Sequence, residues 1–151
     1  MNDWLTISVP AATAVAAAYL SAKWTTARAY EQRWRERKEK AYSDIVEALY
    51  DMILYFDLTA AEYMTTRDEE NPKLAEFRAR YTEANLKIQR LTDIGAFVIS
   101  EESASVLMDL RKRPKLEWNE NPPWEVYEEE SRHFREALSA IKRCAKRDLK
   151  I

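Results

Sequence analysis

Residues 4–22 carry no charge, and seven Lys and Arg side chains follow them between Lys23 and Lys40. That order constrains the fold more than any other feature of the chain. As a helix, the nineteen uncharged residues from Trp4 to Ala22 span roughly 28 Å, close to the ~30 Å hydrocarbon core of a bilayer. Trp4 marks one end and Tyr19 and Trp24 the other, where amphipathic rings settle at headgroup depth and Lys23 can reach past them into the polar layer. Only Glu31, Glu36 and Glu39 oppose the seven cations, and a Lys/Arg-rich flank stays on the cytoplasmic side. The expected organisation is a transmembrane helix over residues 1–24 with its N-terminus outside, a basic juxtamembrane stalk over 25–40, and a cytosolic helical bundle over 41–151.

The span is weakly apolar. Leu5, Ile7, Val9, Val15 and Leu20 supply only about −2 kcal/mol towards insertion, and Thr6, Ser8, Pro10, Thr13 and Ser21 oppose them. A secretory signal peptide needs a basic segment before its apolar core, whereas Asp3 is the one charge there and the cations come after. An amphipathic surface helix needs a charged face, which this segment lacks. The remaining competitor is a buried helix of a soluble protein, which predicts solubility without detergent.

Small residues recur four apart, in Ser8, Ala12 and Ala16 and again in Ala14, Ala18 and Ala22. Such rows let helix backbones approach closely, so self-association is expected, although the abundance of alanine makes chance matches common. A further row, Thr6, Pro10, Thr13, Ala17, Leu20 and Trp24, alternates spacings of four and three. Around an oligomer axis it sets hydroxyls above an apolar ring of Leu20, as in a narrow pore with a hydrophobic gate. The plainer reading is that these hydroxyls bond the preceding turn, with Thr6 repairing the helix where Pro10 removes a donor. Thr6, Thr13, Ala17 and Leu20 are the candidate pore-lining or gating residues.

One glycine and five prolines, in a chain one-third charged, describe helices with few tight turns. The expected fold class is all-α. Neither Gly nor Pro interrupts residues 22–66, where Ile45, Leu49, Met52 and Phe56 form one apolar row and Tyr42, Val46, Tyr50 and Ile53 a second; two stripes exceed what one partner helix covers. Asn71-Pro72 ends this helix. The next, over about 73–99, repeats in heptads through Leu74, Phe77, Tyr81, Ala84, Ile88, Leu91, Gly95 and Val98, which implies coiled-coil-like packing. Ser100 is the expected N-cap of a short helix reaching about Arg113 and burying Val106, Leu107 and Leu110. A loop over 114–123 leads to a last helix with Pro123 in its first turn and a seam of Trp124, Tyr127, Ser131, Phe134, Leu138, Ile141 and Ala145. Short connections run the helices down, up, down and up, which returns the C-terminus towards the inner leaflet.

Little catalytic chemistry fits this layout. Glu130 and His133 have the Glu-x-x-His spacing that di-iron bundles use twice, but there is no second histidine, so no metal is expected. Cys144, the one cysteine, forms no intramolecular disulfide, fits a reducing compartment, and stands eleven residues from His133, which makes a poor nucleophilic pair. Gly95 alone builds no phosphate loop. Neither a cofactor nor enzymatic activity is expected. Two basic clusters remain: Arg111, Lys112, Arg113 and Lys115, then Lys142, Arg143, Lys146, Arg147 and Lys150. Cations near helix C-termini complement the macrodipole and can meet anionic lipid. The sharper reading is an anionic ligand, a nucleotide or short single-stranded oligonucleotide, held where the clusters converge in an oligomer, with Trp118 or Trp124 stacking on bases. Arg143, Lys146, Arg147, Arg111 and Arg113 are its candidate contacts.

Three stretches carry a resemblance: Trp34-Arg-Glu-Arg-Lys-Glu-Lys-Ala-Tyr-Ser-Asp-Ile-Val-Glu-Ala-Leu49, the junction Ile99-Ser-Glu-Glu-Ser103, and Ala145-Lys-Arg-Asp-Leu149. With the short span before them they resemble small bacterial single-span membrane proteins of unknown function. Among these, the layout is similar to the channel effector of the Hailong anti-phage defence system. That likeness implies an oligomeric pore in the bacterial inner membrane, controlled by a single-stranded DNA oligomer; it is architectural and transfers no ligand residue. The expected function is thus a homo-oligomeric membrane effector that forms a gated ion-conducting pore in phage defence. The alternative is a non-conducting, membrane-anchored scaffold that recruits a protein partner through its cytosolic helices.

Overall fold

The computed structural model describes the backbone of residues 3–65, 72–94 and 97–151, and the side chains of 21–64, 72–93 and 97–151. It contains α1 (Asp3–Thr65), α2 (Pro72–Ile94), α3 (Glu101–Lys112) and α4 (Pro123–Leu149). The described residues include no strand, and the fold is all-α. The chain divides into two compact units, Met1–Arg37 and Lys38–Ile151, with the boundary inside the basic segment 25–40.

In the first unit, side chains 21–37 are all exposed. A helix segment exposed on every side holds together through residue propensity and pairs one turn apart. Gln32 donates to Glu36 at 3.1 Å, and the Thr25 and Thr26 hydroxyls bond the carbonyls of Ser21 and Ala22 at 2.8 and 2.6 Å. Among the described residues, no helix is long and apolar enough to cross a membrane. The expected span falls almost wholly on side chains outside that set, as do Thr6, Thr13, Ala17 and Leu20.

The second unit is a helical bundle. Lys87 reaches Asp44 and Glu47 at 3.3 and 3.1 Å, and Arg80 reaches Asp51 at 3.3 Å, so α2 runs antiparallel to this part of α1. Tyr42 bonds Asp148 while Asp57 bonds Ser131 and Arg135, which sets α4 antiparallel to α1. Arg147 with Glu102 and Arg113 with Glu130 do the same for α3 against α4.

The α1 seam follows from spacing. Tyr42, Ile45, Leu49, Met52, Phe56 and Thr59 are buried and step by three and four, the heptad register. Tyr42 and Ile53 join it from the second apolar row, Val46 lies half-buried beside it, and Tyr50 is 59% exposed. At about 100° of turn per residue, Tyr50 has rotated out of the stripe, so the two rows form one broad buried face. On α4 the buried line is Val126, Glu130, Phe134, Ala137, Ile141 and Cys144. Trp124, expected in the seam, is 38% exposed.

Helix ends explain the boundaries. Ser100 caps α3 by accepting from the Ser103 N–H, Glu101 and Glu102 occupy its first turn, and Arg111 and Lys112 its last, each favourable to the helix dipole. Pro123 opens α4, where its missing N–H costs nothing. Ile45, Leu49, Met52, Leu107 and Ile141 lie at the centre, essentially out of solvent, each contributing roughly 1.5–3 kcal/mol by burial. Above them, rings from three helices meet: Phe56 stacks on Phe134 at 5.6 Å and meets Tyr81 edge-on at 5.3 Å.

Candidate functional site

Two polar centres are built into the apolar core of the second unit. The first joins the start of that unit to the end of the chain. The Tyr42 hydroxyl donates to Asp148, accepts from the Ser100 backbone N–H at 3.3 Å, and lies 3.2 and 3.0 Å from the Ser100 and Ser103 hydroxyls. One oxygen thereby satisfies polar groups of α1, α3 and α4, as a buried hydroxyl must. Burial, with the Asp148 carboxylate, pushes Tyr42 above the ordinary phenol range. Burial works to raise Asp148, but the bonds from Tyr42 and Ser100 and the charges of Arg147 and Lys38 outweigh it and hold the carboxyl low.

This junction places the second basic cluster. Residues 138–150 hold five Lys and Arg against Asp148 alone, while 123–137 hold five Glu against two Arg. Because Tyr42 fastens Asp148, the cationic half of α4 lies at the end of the bundle where residues 38–42 begin it. Arg143 donates to Ser139 at 3.1 Å, Arg147 pairs with Glu102 at 2.7 Å, and Lys146 is exposed. The antiparallel run of α3 against α4 carries Arg111 and Arg113 away from these three. Within one protomer the five candidate cations form two separate groups.

The second polar centre holds Arg113. Its guanidinium pairs with Glu130, donates to the Leu110 carbonyl, and stands 4.7 Å from the centroid of the Phe134 ring. Both charged side chains are nine-tenths buried. Glu130 is therefore the partner of Arg113, and His133 instead meets Glu129 at 3.1 Å, which separates the Glu-x-x-His pair. Among the described residues, no cluster of His, Cys, Asp and Glu could hold a metal.

Beside Arg113 lies a cavity of about 150 Å³ between α1, α2, α3 and α4, whose polar lining includes Tyr81, Asn85, Gln89, Arg111, Arg113 and Lys115. Arg111 also pairs with Asp93 at 3.1 Å. A wider apolar groove of about 510 Å³ runs between the end of α1 and the start of α4, past Phe56, Ala60, Met64, Trp124 and Tyr127. Trp118 packs edge-on against Tyr127 at 5.1 Å. Sequence patterning missed Tyr42, Asn85, Gln89 and Glu130 as polar members of these centres. A glutamate three residues from the apolar seam's Tyr127 was the one available signal.

Known families, characterised proteins and solved structures offer no match to this chain.

Proposed function

We propose that the chain is a homo-oligomeric, single-pass membrane effector, with residues 4–22 in the bilayer and the bundle on its cytoplasmic side. The observation that carries the reading is the Tyr42–Asp148 junction. It brings Lys146, Arg147 and Lys150 to the end of the bundle where the chain arrives from its basic stalk. The cations that follow the apolar block, from Lys23 to Lys40, suit an anionic inner leaflet, at about 1 kcal/mol per Lys or Arg near its surface.

The resemblance described above suggests ion flux as the output and phage defence as the setting. In that mechanism Thr6, Thr13 and Ala17 line the conduit and Leu20 closes it. An anionic ligand that binds one bundle arrangement better than another shifts the population of closed and open pores. The experiment is ion flux through liposomes holding the full-length protein, compared with the protein lacking residues 1–22. Flux confined to the full chain supports the pore, and Leu20→Asn should raise it; an unchanged rate removes Leu20 as the gate.

The apolar groove favours a second reading, a non-conducting anchored scaffold. Met64 is 73% exposed beside it. Stable insertion and oligomerisation without flux under any ligand would favour the scaffold.

A further inference from the structure

We propose that the cavity beside Arg113 is a binding site for a phosphate group. Every charged residue lining it is a cation: Arg111, Arg113 and Lys115. The carboxylates that pair with two of them, Asp93 and Glu130, are not among the residues that line it. Arg113 is 10% exposed, and its Nε is the one buried side-chain nitrogen or oxygen among the described residues without a hydrogen-bond partner. A buried donor left unsatisfied costs about 1–3 kcal/mol, and this one belongs to a side chain that lines the cavity.

The remaining donors point to the same chemistry. Asn85 and Gln89, one turn apart on α2, both line the cavity, and neither amide is engaged elsewhere among the described residues. Lys115 has no ion-pair partner there either, and its side chain is exposed at the rim. Burial, with Glu130 adding and Arg113 opposing, raises the Tyr81 phenol, so its hydroxyl keeps its proton at neutral pH and can donate. A phosphate group carrying about −1.5 to −2 charges, with three or four oxygens that accept, satisfies such a set. A single carboxylate has fewer oxygens than the set has donors.

Volume limits the occupant. Ligand pockets for drug-sized molecules run from about 300 to 1,000 Å³, and this one is about 150 Å³. It admits one phosphate group with the rest of any larger molecule outside, past Lys115. The ligand is inorganic phosphate or the terminal phosphomonoester of a nucleotide, and the chemistry of recognition is shared. The site deepens the function proposed above by giving its anionic ligand a place, and it rests on that reading only there. Bound there, a phosphate would add a bridge between α2 and α3, which Arg111 and Asp93 already join.

The test is calorimetric titration of the full-length protein in detergent, first with inorganic phosphate and then with a nucleoside monophosphate. Saturable binding at sub-millimolar concentration is expected, with equal affinities indicating free phosphate and a tighter mononucleotide indicating a phosphomonoester. Lys115→Glu and Gln89→Glu should each weaken it by at least about tenfold. Both positions lie outside the core, and an unchanged melting profile verifies the fold. No binding of either probe to the wild-type protein, or unaltered affinity in both folded variants, overturns the proposal. Binding without liposome flux rejects the pore and keeps the site; flux without binding does the reverse.

Discussion

Tyr42 ties three helices through one oxygen, and its removal is the sharpest single-atom test of the fold. Tyr42→Phe keeps the ring and leaves Ser103, which is fully buried, and Asp148 short of a partner. The expected loss is about 1–3 kcal/mol, read as a lower urea midpoint. The same pair predicts a pH profile. Asp148 is held below its ordinary value of 3.8, so its contribution is complete above that value and is lost as pH falls through the lower folded pKa. Tyr42 is held above 10.0, so its contribution is complete below pH 10 and fades as pH climbs through the raised folded value. Tyr42→Phe should make both limbs shallower; limbs as steep as the wild type's would show that the junction does not govern them. Glu130 poses the opposite case. Glu130→Ala strands the Arg113 charge and should cost about 3–5 kcal/mol, whereas Arg113→Met with Glu130→Leu should recover most of it. Failure of the double variant to recover stability would mean that the guanidinium is needed for more than neutralising its partner.

Element by element, periodicity carried most of what was legible. Ser100 as N-cap and Pro123 at the start of α4 stand where local backbone chemistry placed them, and Leu107 and Leu110 are buried as their spacing required. Seams were harder to centre. Rows counted at intervals of four drift around a helix, which is why Tyr50 was assigned to a buried stripe and lies outside it. Glu130 was read as half of a Glu-x-x-His pair and not as an ion-pair partner, because Arg113 is seventeen residues away and pairing across elements leaves no local trace. α2 ends at Ile94, short of the expected 99, and residues 97–99, which include the last heptad position, Val98, are not α-helical. Stability should follow the observed face. Leu49→Ala is expected to cost 2–5 kcal/mol by thermal melting, and Tyr50→Ala within about 0.5 kcal/mol of zero. Equal losses would return Tyr50 to the interface.

At the scale of the whole molecule, charge and hydropathy are sorted along the chain. An uncharged N-terminal block precedes a basic segment, and the bundle gathers further cations at the end where that segment enters it. The sequence showed both basic clusters, but only the antiparallel packing of α3 and α4 separates them, one near Tyr42 and one around the Arg113 cavity. Partition into a bilayer tests the central claim most directly. Full-length protein should float with vesicles containing anionic lipid and stay with them through alkaline carbonate and high salt, while the protein lacking residues 1–22 remains below or is released by salt. A full-length chain that stays in the aqueous fraction, folded and free of lipid, would contradict the account.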